Sequence, residues 1–340
     1  MKKALVITSI GKVNAALKQF AEACQKKHVD FYIIGDTKSP QDFHLDHCDY
    51  WSIHRQAQLP FSLAKNLPTG SYVRKNLGYL LAMQNGAEII FESDDDNFPM
   101  DNFFQDKSLY VDTHALENQG WVNVYQYFSH ENVWPRGFPL TELKKPVPTM
   151  QNFPKQKTCC PIQQGLADKD PDVDAIYRLT LPLPIHFHEA PAMAFGQNTW
   201  CPFNTQSTLY FEPAFPLLYI PTTCNFRVTD IWRSFIATRI LWANDWSVLF
   251  TGATVYQERN KHDLLWDFED EIKGYLHNKR ICETLANLDL KSGTEHLEEN
   301  LFRCYKAMVS LELIAPQELH LLENWFNDIA IAKEKQKLRA

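Results

Sequence analysis

The chain has 340 residues, of which 45% are hydrophobic, and 34 Lys and Arg against 41 Asp and Glu give a formal net charge of −7. This composition is typical of a globular protein. The excess of acid leaves no overall positive field, so the composition argues against a nucleic-acid partner. No run approaches the roughly 18 apolar residues of a membrane span, and the first apolar run lacks a cleavage-site pattern. We therefore predict neither a transmembrane segment nor export.

The eight cysteines are scattered, without a Cys-x-x-Cys pair. This usage favours a reducing compartment, so we expect a cytoplasmic protein, and contact with the inner face of the membrane is compatible with it. Two short groups contain zinc-type ligands, namely His44, His47 and Cys48, and His186, His188 and Glu189. Each lacks a second ligand pair at the usual spacing, so structural zinc is not expected.

The first hundred residues alternate between strand and helix patterns. Apolar runs predict strands at residues 3–9, 31–34, 50–53 and 88–91. Apolar residues from Val13 to Cys24 recur at helical spacing, and a second helix is predicted over 72–85, with Ser71 as its N-cap and Gly86 after its end. Strands that alternate with helices predict an α/β fold, with an open, mostly parallel sheet flanked by helices.

The rest of the chain divides into an irregular middle and a helical end. Residues 130–225 are rich in proline, which predicts loops and short strands that serve as lids or binding loops. Within them, Asp170 and Pro171 predict the cap and first residue of a helix. Helical spacing returns at Ile231, Phe235 and Ile240 and again from Leu297 to Met308, and a last helix is predicted from near Pro316.

The most informative segment is the acidic run from Glu92 to Asp96, which follows a buried strand. Neighbouring carboxylates raise one another's pKa, so the run is costly unless a cation or hydrogen-bond donors compensate. In an extended chain Asp94 and Asp96 share one face and Asp95 points to the other. One or two of them are suited to Mg²⁺ or Mn²⁺, whose remaining positions go to water and substrate phosphate. The alternative is a solvated acidic turn.

Arg74 and Lys75 fall in the first turn of the predicted helix over 72–85. Cations are mildly unfavourable there because that end of the helix dipole is positive. A diphosphate held between this turn and a metal ion would explain both the cations and the acidic run. The alternative is that both charges are exposed to solvent.

Several segments, in this order, resemble the STELLO family of glycosyltransferase-like proteins, which is more distantly similar to the reversibly glycosylated polypeptides. They are Ile34-Gly35-Asp36, Gln58-Leu59-Pro60, Tyr72 to Tyr79, Gly86-Ala87, Glu92 to Asn97 and Phe226 to Arg233. The resemblance runs from about residue 4 to residue 270. It implies a GT-A-like (Rossmann-like) fold over residues 1–270, followed by a helical C-terminal extension over 271–340. It also implies a nucleotide-sugar donor and a glycan or glycolipid acceptor.

The resemblance implies roles for individual residues. The Asp-x-Asp motif of GT-A enzymes falls on Asp94 and Asp96, with Asp94 or Asp95 near the ribose, Asp96 on the metal, and His262 as the histidine that completes the metal's ligands. The residues expected to hold the nucleotide sugar are Thr8, Ser9, Asp36, Arg74, Lys75, Gly78, Asp94 and Asp95. The other interpretation of His262 is that Asn260 caps a helix and His262 is incidental.

If the reaction inverts the anomeric carbon, a base must take the proton of the acceptor hydroxyl. Asp230 lies at the start of a predicted helix, where the resemblance implies the catalytic carboxylate of inverting GT-A enzymes, although helix capping explains it equally. Asp172 and Asp174 are the next catalytic candidates, and helix-end electrostatics is their alternative explanation. The candidates on the acceptor side are Asn198, Trp200, Asn204 and Gln206, from a stretch rich in aromatic and amide side chains.

The sequence therefore predicts a glycosyltransferase that depends on Mn²⁺ or Mg²⁺ and transfers a sugar to a carbohydrate hydroxyl, in the synthesis of surface polysaccharide or other glycans. One alternative is a catalytically silent protein that binds nucleotide sugars within a glycan-synthesis complex. The other is a sugar nucleotidyltransferase, but such enzymes usually have a glycine-rich basic loop after the first strand, where only Gly11-Lys12 stands here. The oligomeric state is left open.

Overall fold

The computed structural model describes residues 1–260 and 263–338. The strands are β1 (Lys3–Thr8), β2 (Val29–Ile34), β3 (Asp49–Trp51), β4 (Ile89–Ser93), β5 (Asn97–Pro99), β6 (Tyr110–Leu116), β7 (Gly120–Trp121), β8 (Lys155–Cys159), β9 (Ile162–Asp168), β10 (Met193–Phe195), β11 (Thr199–Trp200), β12 (Ser207–Phe211) and β13 (Val248–Gln257). The helices are α1 (Ala15–Lys27), α2 (Ile53–Gln56), α3 (Ser62–Asn66), α4 (Lys75–Gln84), α5 (Ala175–Thr180), α6 (Thr229–Trp242), α7 (Leu264–Ala286), α8 (Leu297–Ser310) and α9 (Gln317–Lys337).

Most strands form one sheet, in the order β3-β2-β1-β4-β12-β9-β13-β10-β6-β8, with β5 paired to β13. β1 pairs in parallel with β2 and β4, and β2 pairs in parallel with β3. β12 then enters antiparallel between β4 and β9. The predicted α/β fold is confirmed. The strands β1, β2, β3 and β4 form the parallel edge of the sheet. The other half mixes antiparallel pairs, among them β5 with β13, with parallel pairs such as β9 with β13.

The sheet is buried on both faces near β1, as expected for apolar runs in parallel strands. Val6 packs with Leu77 and Leu80 of α4 on one face. Ile7 packs with Leu17 and Phe20 of α1 on the other face. The two helices therefore cover opposite sides of the same strands, and the carboxyl ends of β1, β2 and β4 meet at one edge.

Gly78 marks the point where α4 lies closest to the sheet. A Cβ atom at this position would stand 2.3 Å from Cγ1 of Val6 and 3.0 Å from Cγ1 of Ile34. Only a residue without a side chain lets the helix approach this closely. Gly78 thus serves helix packing, whereas the sequence pointed to a ligand of the nucleotide sugar.

Replacing Gly78 with alanine is expected to lower the free energy of unfolding by about 1–3 kcal/mol, because the added methyl group overpacks the interface of α4 with β1. Urea unfolding measures the change. Gly252→Ala is the matched control, since a Cβ there meets only Cδ1 of Phe128, at 4.0 Å. Equal losses in the two variants would show that close packing at Gly78 is not the cause.

The C-terminal helices pack onto the first part of the chain. Asp328 of α9 accepts hydrogen bonds from the backbone nitrogens of Ser62 and Leu63, at 2.7 and 2.8 Å, and so caps the start of α3. The predicted boundary at residue 270 falls inside α7, and the division into two domains stays a prediction. Across the described residues, no helix combines the length and the hydropathy that crossing a membrane requires.

One predicted helix start is wrong, and another is confirmed with a different first turn. The helix expected from Pro171 begins at Ala175, and its N-cap is Asp174, which accepts a hydrogen bond from the backbone nitrogen of Tyr177 at 2.8 Å. Asp170 instead forms an ion pair with Arg178. The helix expected over 72–85 begins as a 3-10 turn, Tyr72–Arg74, capped by Ser71, and becomes α-helical from Lys75.

Candidate active site

A cavity of about 450 Å³ opens at the carboxyl ends of β1, β2 and β4. Ligands of open α/β sheets bind at this edge. The chain segments that line it follow these strands, precede α4, β12 and α6, and follow β13, and Arg136 and Asp172 line it from the irregular middle of the chain. The predicted site residues that line the cavity are Thr8, Ser9, Asp36, Arg74, Asp94, Asp95, Asp96, Asp172, Asn204, Gln206 and Asp230.

Some predicted site residues lie elsewhere. Lys75, Gly78, Asp174, Asn198 and Trp200 do not line this cavity. His262 lies outside the described residues, so its predicted place near the metal stays a prediction. Asn260 does not cap α7, because the N-cap is Asp263, whose side chain accepts a hydrogen bond from the backbone nitrogen of Leu265.

The acidic run forms a turn at the cavity. β4 ends at Ser93, and the backbone nitrogen of Asn97 then donates to the carbonyl of Asp94 at 3.3 Å. Because the chain is no longer extended, the expectation that Asp95 points to the opposite face is wrong. Oδ2 of Asp95 accepts a hydrogen bond from Oγ of Ser9 at 2.6 Å. All three carboxylates of this turn line one cavity.

The carboxylates of the acidic turn are harder to ionise in the folded protein than in water. Burial raises the pKa of Asp94, to about 6, and also raises the pKa of Asp95 and Asp96. Oδ1 of Asp94 lies 3.1 Å from Nζ of Lys75, and Oδ1 of Asp96 accepts a hydrogen bond from Nε2 of Gln257 at 2.9 Å. These partners offset only part of the penalty. A bound cation would favour the ionised carboxylates further.

The turn fits a divalent cation that takes few ligands from the protein. Within residues 1–260 and 263–338, no three side chains of His, Cys, Asp or Glu converge to hold a metal ion. Mg²⁺ is often bound by one or two carboxylates, with water and substrate phosphate at its other positions. Carboxylates that are costly to ionise and line an open cavity suit that mode of binding.

Glu92, the first acid of the run, belongs to the core instead. It is fully buried, its Oε1 accepts a hydrogen bond from Nη2 of Arg233 at 2.6 Å, and the hydroxyl of Tyr79 donates to its Oε2. A buried carboxylate with a guanidinium partner is neutralised locally. Glu92 and Arg233 therefore form an ion pair in the core at the start of the acidic turn, and neither lines the cavity.

Arg74 and Lys75 are both buried, whereas the sequence predicted that they face either a bound diphosphate or solvent. Nζ of Lys75 donates to the carbonyl of Ser93 at 2.8 Å and to Asp94, so it supports the acidic turn from the protein side. Arg74 lines the cavity, but its Nε donates to Oε1 of Gln56 at 2.6 Å and its Nη1 to the carbonyl of Leu67. Burial lowers the pKa of Arg74.

Asp36 joins the end of β2 to the loop before α4. Its Oδ2 accepts hydrogen bonds from the backbone nitrogens of Gly70 and Ser71, at 2.8 and 3.1 Å. Its Oδ1 accepts from the backbone nitrogen of Thr37 at 2.6 Å. The carboxylate thus fixes the cavity wall at the position predicted for the nucleoside.

Arg136 is the principal site residue that the sequence interpretation missed. Its Nε and Nη2 donate to the two oxygens of Asp172, at 2.7 and 2.8 Å. Its Nη1 and Nη2 donate to the two oxygens of Asp230, at 3.1 and 2.9 Å. Burial raises the pKa of Asp172, but the ion pair with Arg136 outweighs burial and holds that pKa below its usual value. Arg136 lies in the proline-rich middle of the chain and belongs to no recognisable motif.

Asp230 lies in the first turn of α6, as predicted, but its oxygens are fully engaged. Besides Arg136, its Oδ1 accepts from the backbone nitrogen of Ile231 at 3.0 Å and its Oδ2 from that of Thr205 at 3.4 Å. A carboxylate offers about four lone-pair positions, so all are used. Asp172 accepts side-chain hydrogen bonds from Arg136 alone among the described residues, which leaves positions open toward the cavity.

Two further arginines line the cavity and contact α7. Nη2 of Arg227 lies 2.6 Å from Oε1 of Glu271, and Nη2 of Arg259 lies 2.8 Å from Oδ2 of Asp267. Burial, reinforced by repulsion from neighbouring arginines, lowers the pKa of Arg259 to about 10. Arg227 falls in a segment on which the family resemblance rests, and Arg259 directly precedes Asn260, yet neither arginine was given a role.

The remaining acceptor-side and catalytic candidates have different surroundings. Asn204 and Gln206 line the cavity, where Nε2 of Gln206 donates to Oε1 of Gln257 at 2.9 Å. Trp200 packs between Trp121 and Trp242 in the core, and Asn198 pairs with the exposed Asn118. Asp174 caps α5 and accepts a hydrogen bond from Nε1 of Trp134 at 2.7 Å, and burial raises the pKa of Asp174 to about 6.

The mostly parallel α/β sheet, with helices on its faces, is consistent with the GT-A-like fold that the resemblance implied. Residues 227–335 match the family model of the STELLO glycosyltransferases. The chain is 28% identical over 325 residues to the probable glycosyltransferase STELLO2 of Arabidopsis thaliana, and 31% identical over 328 residues to the probable glycosyltransferase STELLO1 of the same plant.

These alignments cover 89% and 90% of this chain and 42% of each relative, so the chain spans less than half the length of these relatives. The resemblance to the STELLO glycosyltransferases is confirmed.

Proposed function

We propose that the protein is a metal-dependent glycosyltransferase, which moves a sugar from a nucleotide-diphosphate sugar to a hydroxyl of a glycan or glycolipid acceptor. The observation that carries the proposal is the acidic turn Asp94–Asp96, whose three partly buried carboxylates line a cavity of about 450 Å³ at the carboxyl-end edge of the sheet. The similarity to two probable glycosyltransferases supports it.

Asp94 and Asp96 would hold Mn²⁺ or Mg²⁺, and His262 is proposed as a further ligand. When bound, the cation supplies charge that stabilises the leaving diphosphate. The protein's own part is to hold this turn in place: Lys75 supports Asp94 from the protein side, and Gln257 orients Asp96. Thr8, Ser9 and Asp36 would contact the nucleoside, since they line the cavity beside the acidic turn.

For the proton of the acceptor hydroxyl, we propose Asp172 in preference to Asp230. Asp230 has no open lone-pair position, because Arg136 and two backbone nitrogens occupy all four. Its role would be to hold Arg136 against Asp172. Inversion at the anomeric carbon needs such a base. Nuclear magnetic resonance of the first product formed identifies the anomer and so tests inversion.

A thermal-shift screen with nucleotide sugars tests donor binding. A ligand that binds the native state at a hundred times its Kd adds about 2.7 kcal/mol of stability. We expect the melting temperature to rise for one nucleotide sugar, and to rise more when Mn²⁺ is present. No shift with any nucleotide sugar, with or without Mn²⁺, would contradict the proposal.

Product analysis then separates the enzyme from its alternatives. With the donor found in the screen and a panel of glycan acceptors, a glycosyltransferase releases the nucleoside diphosphate and extends an acceptor. Donor binding without release would favour a silent binding protein. Formation of a nucleotide sugar from a nucleoside triphosphate and a sugar phosphate would favour a nucleotidyltransferase.

A further inference from the structure

Phe226 is a large apolar side chain that stands exposed at the cavity. It lines the cavity and is 53% exposed, and the ring of Tyr72 meets it edge to face, with the two centroids 4.9 Å apart. An apolar ring in contact with solvent forgoes the free energy that burial would give. The contact with Tyr72 covers only part of the ring, so a free aromatic surface remains at the cavity.

The loop that carries Phe226 is anchored by two of the C-terminal helices. The backbone nitrogen of Thr222 donates a hydrogen bond to Oε2 of Glu318 on α9, at 2.9 Å. Nδ2 of Asn225 donates to Oδ1 of Asp270 on α7, at 2.8 Å. These contacts hold the loop in place, so the exposed ring has a defined position before any ligand arrives. A ring that is already ordered binds a ligand with a smaller loss of entropy.

The same loop contacts the residues around the proposed base. Nη1 of Arg136 donates a hydrogen bond to the carbonyl of Arg227, the residue that follows Phe226. Nε and Nη2 of Arg136 hold the two oxygens of Asp172, at 2.7 and 2.8 Å. One guanidinium therefore links the loop to the carboxylate that is proposed to take the proton of the acceptor hydroxyl.

Two polar side chains beside Asp230 also line the cavity. Asn204 and Thr205 are 6 and 5% exposed, and the backbone nitrogen of Thr205 donates to Oδ2 of Asp230. Oδ1 of Asn204 accepts from the backbone nitrogen of Gln206 at 3.0 Å, which leaves its Nδ2 as a donor. In the described part of the chain no group bonds this Nδ2 or Oγ1 of Thr205, and both atoms stay accessible. Polar atoms of buried residues normally have partners, so these two indicate a ligand with hydrogen-bonding groups.

A sugar ring has the chemistry that this combination fits. One face of a pyranose carries C–H groups, which are apolar and pack against the electron-rich face of an aromatic ring such as that of Phe226. The hydroxyls at the rim of the sugar both donate and accept hydrogen bonds, so they match the amide of Asn204 and the hydroxyl of Thr205. A nucleobase would also stack on Phe226, but it lacks the hydroxyl that Asp172 is proposed to deprotonate.

We propose that Phe226, Asn204 and Thr205 form the acceptor subsite, in which the acceptor's sugar ring stacks on Phe226 and its hydroxyls bond Asn204 and Thr205. The attacking oxygen would form the new glycosidic bond, its proton would pass to Asp172, and the nucleoside diphosphate would leave with the electrons of the bond that breaks. The assignment of the ring to the acceptor rests on the proposed function. Phe226 and Thr205 add to the acceptor-side residues that the sequence predicted.

Saturation-transfer NMR with the methyl glycosides of glucose, galactose, mannose and xylose tests the subsite without any transfer. With Mn²⁺ and nucleoside diphosphates present, at least one glycoside should bind the wild type, with the strongest saturation on the C–H protons of one ring face. Phe226→Ala should weaken this binding about tenfold or more, because the stacking surface is lost. Phe226→Trp should keep it. The proposal is overturned if no glycoside binds the wild type or if Phe226→Ala binds equally well.

The matched control is Tyr110→Ala, since the ring of Tyr110 is 54% exposed and does not line the cavity. It should bind the glycosides as the wild type does, and an equal loss in this control would refute the stacking.

Thr205→Val tests the polar half of the subsite, because it removes Oγ1 and keeps the backbone nitrogen that donates to Asp230. One monodeoxy glycoside should bind Thr205→Val and the wild type equally, since the hydroxyl that Thr205 holds is already absent from it. A loss by the same factor for every monodeoxy glycoside would contradict this contact.

Kinetics with the donor and acceptor found by product analysis assigns the stacked ring. Phe226→Ala should raise KM for the acceptor about tenfold or more and leave KM for the donor unchanged. A rise in the donor's KM alone would place the donor on Phe226 and overturn the proposal. If the glycosides bind as expected and no acceptor is extended, the proposed function fails and the sugar subsite stands. If Phe226→Ala extends the acceptor as the wild type does, the subsite fails and the proposed function stands.

Discussion

Replacing Asp96 with asparagine is expected to lower metal-dependent donor turnover by about a hundredfold or more, because a carboxylate ligand of the cation is lost. Asparagine keeps an oxygen that can accept the hydrogen bond from Gln257, so the turn should persist. Burial raises the pKa of Asp96, which means that its ionised form is costly in the folded protein. The variant should therefore melt no lower than the wild type.

Release of nucleoside diphosphate, measured across a range of Mn²⁺ concentrations, gives both the rate and the metal dependence. Asp101→Asn is the control, since Asp101 is exposed, stands five residues further along the chain and does not line the cavity. It should keep the wild-type rate. Full turnover and an unchanged response to Mn²⁺ in the Asp96 variant would refute the assignment of the metal to this turn.

The first part of the fold could be predicted because its signals are local. The strands β1 and β2 are continuous apolar runs, and α1 shows its buried face through residues such as Leu17, Phe20 and Cys24. The middle of the chain lacks such signals. β12 pairs with β4 through Ser207 and Ser93, more than a hundred residues apart, and with β9 on its other side. Short strands of this kind are defined by their distant partners.

The acidic turn could also be predicted, because three adjacent aspartates after a buried strand are a strong pattern. The sequence did not reveal which charges are buried and paired. Glu92 and Lys75 stand in patterns that suggest site residues, yet both are buried. Glu92 pairs with Arg233, far along the chain, and Lys75 donates to the carbonyl of Ser93, just before the acidic turn. The direction in which the Asp95 side chain points depends on where β4 ends. The strand ends at Ser93, before the aspartates, and the ends of strands are the part of an element that a sequence pattern defines least well.

Arg136 had no signal at all, because a single arginine in a proline-rich loop resembles any exposed arginine. Its importance comes from Asp172 and Asp230, 36 and 94 residues away, whose carboxylates the fold brings to one guanidinium. Both lay among the predicted catalytic residues. The structure therefore adds to the prediction the guanidinium of Arg136, which pairs with both carboxylates and, together with two backbone nitrogens, occupies all four lone-pair positions of Asp230.

Arg136→Met is expected to have the largest effect on stability. It leaves the buried carboxylates of Asp172 and Asp230 without their guanidinium, and breaking a buried ion pair from one side costs about 3–5 kcal/mol. The loss should depend on pH. In the wild type the pKa of Asp172 is lowered, so its ion pair stabilises the fold above the unfolded pKa and ceases to do so as pH falls.

In the variant, burial acts on Asp172 without Arg136 and raises the pKa of this carboxyl. The free-energy cost of burying the charged carboxylate is therefore largest at neutral pH. It falls as the carboxyl takes up a proton. The stability deficit of Arg136→Met, measured by urea unfolding, should therefore shrink from pH 7 toward about pH 5. Arg303→Met is the control, because Arg303 is 42% exposed and pairs with Glu299 at the surface, where such a pair contributes about 0–1 kcal/mol. A deficit that is constant with pH would mean that lost packing of the Arg136 side chain, and not the unpaired carboxylates, destabilises the variant.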